Sequence, residues 1–144
     1  MQKSQSLSFF RKQPEMLDAK TIGGKRLLQI CIDNEREYNE DHFGLEELMK
    51  MLLEQKLCNP NVMDFNGKET LLTYAYTHKK HNAFKLLLMY SDVDPNIKNA
   101  DGSTTYGVLF YHNLSEYYDT EGFKPKESME LLLTYRKNIN YHFQ

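Results

Sequence analysis

The sequence is poor in the residues that mark secreted and membrane proteins. Its 144 residues include two cysteines, Cys31 and Cys58, and no tryptophan. A secreted disulfide scaffold uses more cysteines at closer spacing, so we expect two reduced, mostly buried thiols. The N-terminus lacks the apolar segment of a Sec signal peptide. No window approaches the roughly 18 apolar residues of a membrane span, which predicts a soluble, cytoplasmic protein.

An excess of charge of either sign is also lacking. Eighteen basic residues against 20 acidic ones give a formal charge of −2. This balance provides no broad basic surface for a nucleic-acid backbone or an anionic membrane. The lysine-rich segment 79–85 is too narrow for such a surface and is interpreted as a solvated helix start. We therefore predict neither nucleic acid nor a membrane as a partner.

Sequence motifs that carry catalysis are absent as well. No nucleophile elbow, P-loop, GxGxxG, HExxH or EF-hand loop occurs. His78 and His81 are three residues apart, but no cysteine or carboxylate adjoins them. We interpret segment 78–81 as a solvated basic loop rather than a metal site. The sequence thus predicts no catalytic residue, no metal and no cofactor.

The residues that are present form a repeat. Apolar residues make up 40% of the chain, which is enough for the core of a single domain over residues 1–144. The sequence of residues 59–72 returns in residues 94–107, at a shift of 35. The shift pairs Leu52 with Leu87, Pro60 with Pro95, Gly67 with Gly102, and Thr70 with Thr105. Such self-similarity is typical of a helical solenoid.

Looser copies extend the repeat to three units. Residues 23–31 match 67–75 at a shift of 44, and residues 129–140 match 84–96 at a shift of 45. The units comprise residues 20–61, 62–96 and 97–140. We expect residues 1–22 to add a capping helix, with Phe9, Phe10, Met16 and Leu17 covering the first unit.

Each unit is predicted to contain two helices and an extended turn. In unit two, residues 70–78 have helical spacing, and residues 82–90 are apolar around most of the helix, as expected with neighbours on both sides. Pro95 ends this unit, and Gly102 permits positive φ in the next turn. The other predicted helices are 25–33 and 45–56 in unit one, and 104–112 and 126–136 in unit three.

The segments DFNGKETLLTYA with LLLMYSDVDPN, and NADGSTTYGVLF with LLLTYRKNIN, resemble ankyrin repeats. They share with that family short paired helices, a leucine pair, a closing Asn and an opening Asp/Asn-x-x-Gly. The resemblance covers about residues 23–140. It implies an all-α helical solenoid of three irregular repeats with an N-terminal cap. The family's histidine at the first helix start is replaced by Leu72, which leaves no histidine there to bond between units.

The resemblance also implies a protein-binding module without catalysis. Its contact surface would be the turn tips and the exposed side of each first helix, and its partner another protein. The corresponding residues are Phe65, Asn66, Lys68, Tyr76 and Thr77 in unit two, and Ala100, Asp101, Ser103, Tyr111 and His112 in unit three. Unit one adds Ile32 and Asp33. We expect the double substitution Lys68→Glu with Tyr76→Ala to abolish binding and leave the helix content unchanged.

Two other functions are compatible with the sequence. Because residue 144 ends where a fourth unit would begin, the chain could be a substrate-docking or regulatory domain of a larger enzyme. It could also belong to a bacterial effector that acts on proteins in the host cytoplasm. The second function is that of a small helical hydrolase or metal enzyme, which would need convergent polar residues in one pocket.

Two insertions interrupt the repeat. Residues 33–44 are interpreted as a solvated connecting loop, because five acids there face one arginine and calcium-loop spacing is missing. Residues 112–126 hold Tyr117, Tyr118 and Phe123 among acids. This second insertion is predicted either to bind a partner or to fold back onto the solenoid.

Overall fold

The structure is a computed structural model that describes residues 25–35, 45–115, 122–137 and 139. These residues form α-helices and no strand, which confirms the predicted all-helical class. The helices are α1 (Leu27–Asp33), α2 (Leu45–Glu54), α3 (Leu71–Thr77), α4 (His81–Tyr90), α5 (Thr105–Leu114) and α6 (Pro125–Tyr135). The predicted capping helix of residues 1–22 lies outside the described residues.

The helices agree with the predicted positions to within two residues at each end. One difference concerns the second insertion. Helix α5 has ten residues, whereas the corresponding α3 has seven. The start of the segment 112–126 is therefore helical as far as Leu114.

Helix packing follows the order of the chain. The two helices of each predicted unit contact each other, as α1 with α2, α3 with α4, and α5 with α6. The second helices form a continuous row, because α4 packs against both α2 and α6. The first helices α3 and α5 also pack together. Each helix pair can therefore bury its apolar side against a neighbouring pair.

Leucines of the repeat fill the core between these helices. Helix α4 buries residues over most of its circumference, as predicted for a helix with two neighbours, and exposes Lys85 and Met89. Leu133 corresponds to the buried Leu88 at a shift of 45 but is exposed, because no described helix pair lies beyond α6. The almost fully buried leucines are Leu28, Leu52, Leu53, Leu71, Leu72, Leu87, Leu88, Leu109 and Leu132.

Both cysteines are buried and are not joined in a disulfide, as the sequence predicts. Burial raises the pKa of the Cys31 thiol to about 11, so this side chain is protonated at neutral pH. Their role in the structure is that of small apolar side chains in the core. None of the described helices has the length and apolar character needed to cross a bilayer.

The two repeated turns differ in length by one residue. Gly67 and Gly102 adopt the left-handed conformation, with φ of 66° and 87°, as predicted. The next helix is capped by Thr70 in unit two and by Thr104 in unit three, whose hydroxyls accept from backbone N–H groups of the first turn. The glycines are 35 residues apart but the caps only 34, so the predicted match of Thr70 with Thr105 is wrong by one residue.

Side chains from other units cap both ends of α4. The Glu35 carboxylate accepts a hydrogen bond from the backbone N–H of Ala83 in the first turn. The Arg136 guanidinium donates to the carbonyl oxygen of Leu88 at 3.3 Å in the last turn, and to those of Ser91 at 2.7 Å and Val93 at 2.9 Å just after it. Helix ends leave such groups without partners inside the helix, so these two distant residues complete α4.

The segment 78–81 is less solvated than predicted. The Lys80 ammonium donates to the carbonyl oxygen of Glu35 at 2.7 Å, which ties the segment to the first insertion. The ring of His81 is half-buried, and its Nε2 lies 3.2 Å from the carbonyl oxygen of Gly122. The interpretation as a solvated loop is therefore wrong for Lys80 and His81. The interpretation of residues 33–44 as a solvated loop is likewise wrong for Glu35, whose carboxylate bonds to α4. Residues 36–44 lie outside the described part of the chain.

Candidate functional site

A groove of about 500 Å³ lies between the turn tips and first helices of units two and three. Its volume is in the range of ligand pockets in proteins. We call it the inter-unit groove. It brings together seven of the ten partner-binding residues predicted in units two and three, namely Lys68, Thr77, Ala100, Asp101, Ser103, Tyr111 and His112.

Hydrogen bonds between the two turns fix one end of this groove. The side-chain oxygen of Asn99 accepts from the backbone N–H of Thr70 at 2.8 Å. The backbone N–H of Ala100 donates to the carbonyl oxygen of Lys68 at 2.9 Å. The turn of unit three therefore lies directly beside the turn of unit two, and Ala100 and Asp101 at its tip are exposed.

Side-chain bonds also join α3 to α5, near the start and near the end of both helices. The hydroxyls of Thr73 and Thr105 lie 2.9 Å apart, and the hydroxyl of Tyr76 lies 2.8 Å from Nδ1 of His112. His112 therefore does form a bond between units, but it lies in the last turn of α5 and not at a helix start. These bonds hold the two helices side by side along the groove.

Two carboxylates are held in defined positions at the groove. Glu69 accepts a hydrogen bond from the hydroxyl of Thr77 at 2.7 Å. Asp101 accepts bonds from the hydroxyl and the backbone N–H of Ser103, and these bonds lower the pKa of its carboxyl group. Asp101 is therefore ionised at neutral pH.

His112 is neutral at neutral pH. Burial lowers the pKa of its imidazole below the ordinary value for histidine. The ring lies between aromatic neighbours, with centroids 5.3 Å from Tyr76 and 5.4 Å from Phe123. Phe123 therefore packs back onto the helices. This agrees with one of the two alternatives predicted for the second insertion. Tyr117 and Tyr118 of that insertion lie outside the described residues.

Tyr76 does not lie on the surface, contrary to prediction. Its side chain is 0% exposed and packs against the rings of Phe84 and Phe123. Ile32 is equally buried in α1. Neither side chain can contact a partner in this fold. Tyr76 is buried because α4 and α5 both pack against the seven-residue α3, of which all but the last residue are buried.

The remaining predicted residues are accessible but lie apart from the groove. Phe65 is 51% exposed and Asn66 is exposed at the tip of the turn of unit two. Asp33 is partly buried, where it accepts a hydrogen bond from the hydroxyl of Tyr74 and pairs with Lys25 at 2.9 Å. Asp33 therefore has structural partners within the chain.

The groove also contains residues that the sequence analysis missed. Thr73 lies four residues before Thr77, and Gly107 four residues before Tyr111. Residues at this spacing share one face of a helix, so the two predicted residues implied the two missed ones. Glu69 precedes the helix cap, and only the bond to Thr77 shows that its carboxylate reaches the same face.

A second groove, of about 780 Å³, lies at the ends of α2 and α4 and the loops that follow them. Its lining includes Glu54, Lys56, Met89 and Asp92. It shares no lining residue with the inter-unit groove. It therefore offers matched control positions for substitutions in the inter-unit groove.

Comparison of the chain with protein-family models, with curated proteins and with solved structures finds no match in any of the three. Within the described ranges, no three His, Cys, Asp or Glu side chains are grouped so that they could hold a metal ion. The geometry of the inter-unit groove is therefore the basis for a functional proposal.

Proposed function

We propose that this chain is a protein-binding module built as an ankyrin-like stack of three helix pairs, and that it binds a partner protein in the inter-unit groove. The stack is supported by the row of second helices α2, α4 and α6, and by the side-by-side turns of units two and three. Helix pairs that contact only their neighbours are the arrangement found in helical repeat proteins.

One observation carries the proposed binding role. The residues chosen from the resemblance to ankyrin repeats are separated by up to 44 positions in the sequence, and seven of them line one groove. Tyr111 is the most accessible aromatic ring among them, with 66% of its surface exposed. Tyrosine is enriched at binding hot spots, because it buries a large area at a low cost in conformational entropy.

Binding fits the groove better than catalysis does. The hydroxyls of Thr73, Thr77 and Ser103 take part in hydrogen bonds that hold the groove together. Nδ1 of His112 is bonded to Tyr76. A nucleophilic site needs a hydroxyl or thiol positioned beside a general base, and these groups are used for structure instead.

The test is capture of a partner by the immobilised 144-residue chain and by variants of it. The substitution pair Asp101→Lys with Tyr111→Ala changes two exposed groove residues. It replaces the pair Lys68→Glu with Tyr76→Ala, because Tyr76 is buried and the groove has more acidic than basic residues. The matched control is Asp92→Lys with Met89→Ala in the second groove, which makes the same change in charge and also truncates a large exposed side chain.

We expect both double variants to keep the far-ultraviolet circular dichroism of the wild type. A protein captured by the wild type should be lost from the groove variant and retained by the control variant. Retention by the groove variant, or loss from the control variant alone, would contradict the proposed site.

A further inference from the structure

The inter-unit groove combines an exposed aromatic ring with carboxylates that are fixed in place. The Glu69 carboxylate is held by the hydroxyl of Thr77, in the last turn of α3. Tyr111 and His112, in the last turn of α5, line the same end of the groove as Thr77, because the Tyr76–His112 bond brings these two turns together. The Glu69 carboxylate and an exposed tyrosine ring therefore lie at one end of the groove.

The charges of the groove favour a cation. Glu69 and Asp101 are its acidic residues and Lys68 its basic residue, which leaves an excess of one negative charge because His112 is neutral. A tyrosine ring attracts cations over its face, and attraction by a nearby carboxylate adds to this effect. Glu69 and Tyr111 both line the groove, so one bound segment can meet both kinds of contact.

We propose that the partner segment presents a cationic side chain, arginine or lysine, to Glu69 and Tyr111 in the inter-unit groove. This inference rests on the proposed function and adds the chemistry of the partner to it. An apolar segment would bury Glu69 without a counter-charge, which costs free energy. An acidic segment would meet two carboxylates and a single lysine.

The experiment selects peptides from a random dodecapeptide phage library on the immobilised 144-residue chain. Enriched peptides are then synthesised, and their affinities are measured for the wild type and for Glu69→Gln, Tyr111→Ala and Glu54→Gln. Glutamine at position 69 keeps an oxygen that can accept from Thr77, so the variant removes the charge and preserves the local geometry. Glu54→Gln makes the same change in the second groove.

We expect enrichment of peptides with arginine or lysine at a constant position. Their affinity should fall about tenfold on Glu69→Gln and on Tyr111→Ala, and should not change on Glu54→Gln. Replacing the basic residue of the peptide by norleucine should cost at least that factor against the wild type. It should cost about tenfold less against Glu69→Gln than against the wild type, because the carboxylate that attracts the cation is already absent there.

The contrary outcomes separate this inference from the proposed function. Neutral or acidic peptides that lose affinity on Tyr111→Ala but not on Glu69→Gln would overturn the cationic contact and leave the groove as the binding site. Peptides that bind all three variants like the wild type, or a selection without any enrichment, would overturn both.

Discussion

The hydroxyl of Tyr76 and Nδ1 of His112 lie 2.8 Å apart, 36 residues from each other in the chain. This bond connects α3 with α5 from inside the fold, under the inter-unit groove. Thr77, which follows Tyr76 in the chain, and Tyr111, which precedes His112, line the groove. Tyr76 itself is buried.

This arrangement predicts different costs for two substitutions of Tyr76. Tyr76→Phe removes the hydroxyl alone and should lower the free energy of unfolding by about 0.5–1.5 kcal/mol. Tyr76→Ala also empties a buried space and should cost about 3–5 kcal/mol. Urea denaturation measures both values. The control Tyr111→Phe, at an exposed ring, should leave stability unchanged, and similar costs for all three variants would place Tyr76 at the surface.

Acid should weaken the contribution of His112 to stability. Burial lowers the pKa of this imidazole in the folded chain, so the unfolded chain binds the proton more readily. The contribution is then fully present above the ordinary histidine pKa of 6.5 and is lost as the pH falls through the lowered value.

The measured quantity is the stability of the wild type minus that of His112→Asn between about pH 7.5 and about pH 5.5. Taking this difference cancels groups common to both chains, including His81, whose pKa burial also lowers, and Glu35, whose pKa burial raises. We expect the difference to decrease toward acid. A constant or increasing difference would show that His112 is not desolvated in the folded chain.

Asn99 should be replaceable by aspartate but not by alanine. Its side-chain oxygen accepts from the buried N–H of Thr70 across the units, and the corresponding position of unit two is Asp64. Asn99→Ala leaves that N–H without a partner and should cost about 1–3 kcal/mol in chemical denaturation. Asn99→Asp keeps the acceptor and should cost distinctly less. Equal costs would mean that the bond between the turns contributes nothing.

Arg136 should be required for the stable attachment of α6 to α4. Its guanidinium reaches the carbonyl oxygens of Ser91 and Val93 after the end of α4. Arg136→Ala should lower the free energy of unfolding by about 1.5–3 kcal/mol, since hydrogen bonds from charged donors are worth that much. Arg136→Lys should recover only part of it, because an ammonium lacks the planar fork. The neighbouring exposed Lys137→Ala serves as the control, and a loss as large as that of Arg136→Ala would contradict the role of the guanidinium.

Much of the fold could be predicted from local sequence. Helix positions followed from the spacing of leucines, and the left-handed turns from Gly67 and Gly102, because these signals depend on neighbouring residues only. The caps of α4 could not be predicted in this way. Glu35 and Arg136 act across about 45 residues, and a side chain that binds a distant backbone leaves no pattern in the sequence.

The site was predicted less completely than the fold. The resemblance to ankyrin repeats selected seven groove residues, because turn tips and helix faces follow from the repeat itself. It misplaced Tyr76, because tyrosine occurs both in cores and on surfaces and α3 is buried at every residue except Thr77. It missed Glu69, whose direction depends on the hydrogen bond to Thr77.

Hydrogen exchange of backbone amides, measured by mass spectrometry with and without a groove-binding partner or selected peptide, tests the central claim most directly. We predict slower exchange in residues 66–69, 99–103 and 107–113 in the complex, with no change in residues 54–61 and 89–92 of the second groove. Protection confined to the second groove, or to segments that border neither groove, would contradict binding between units two and three.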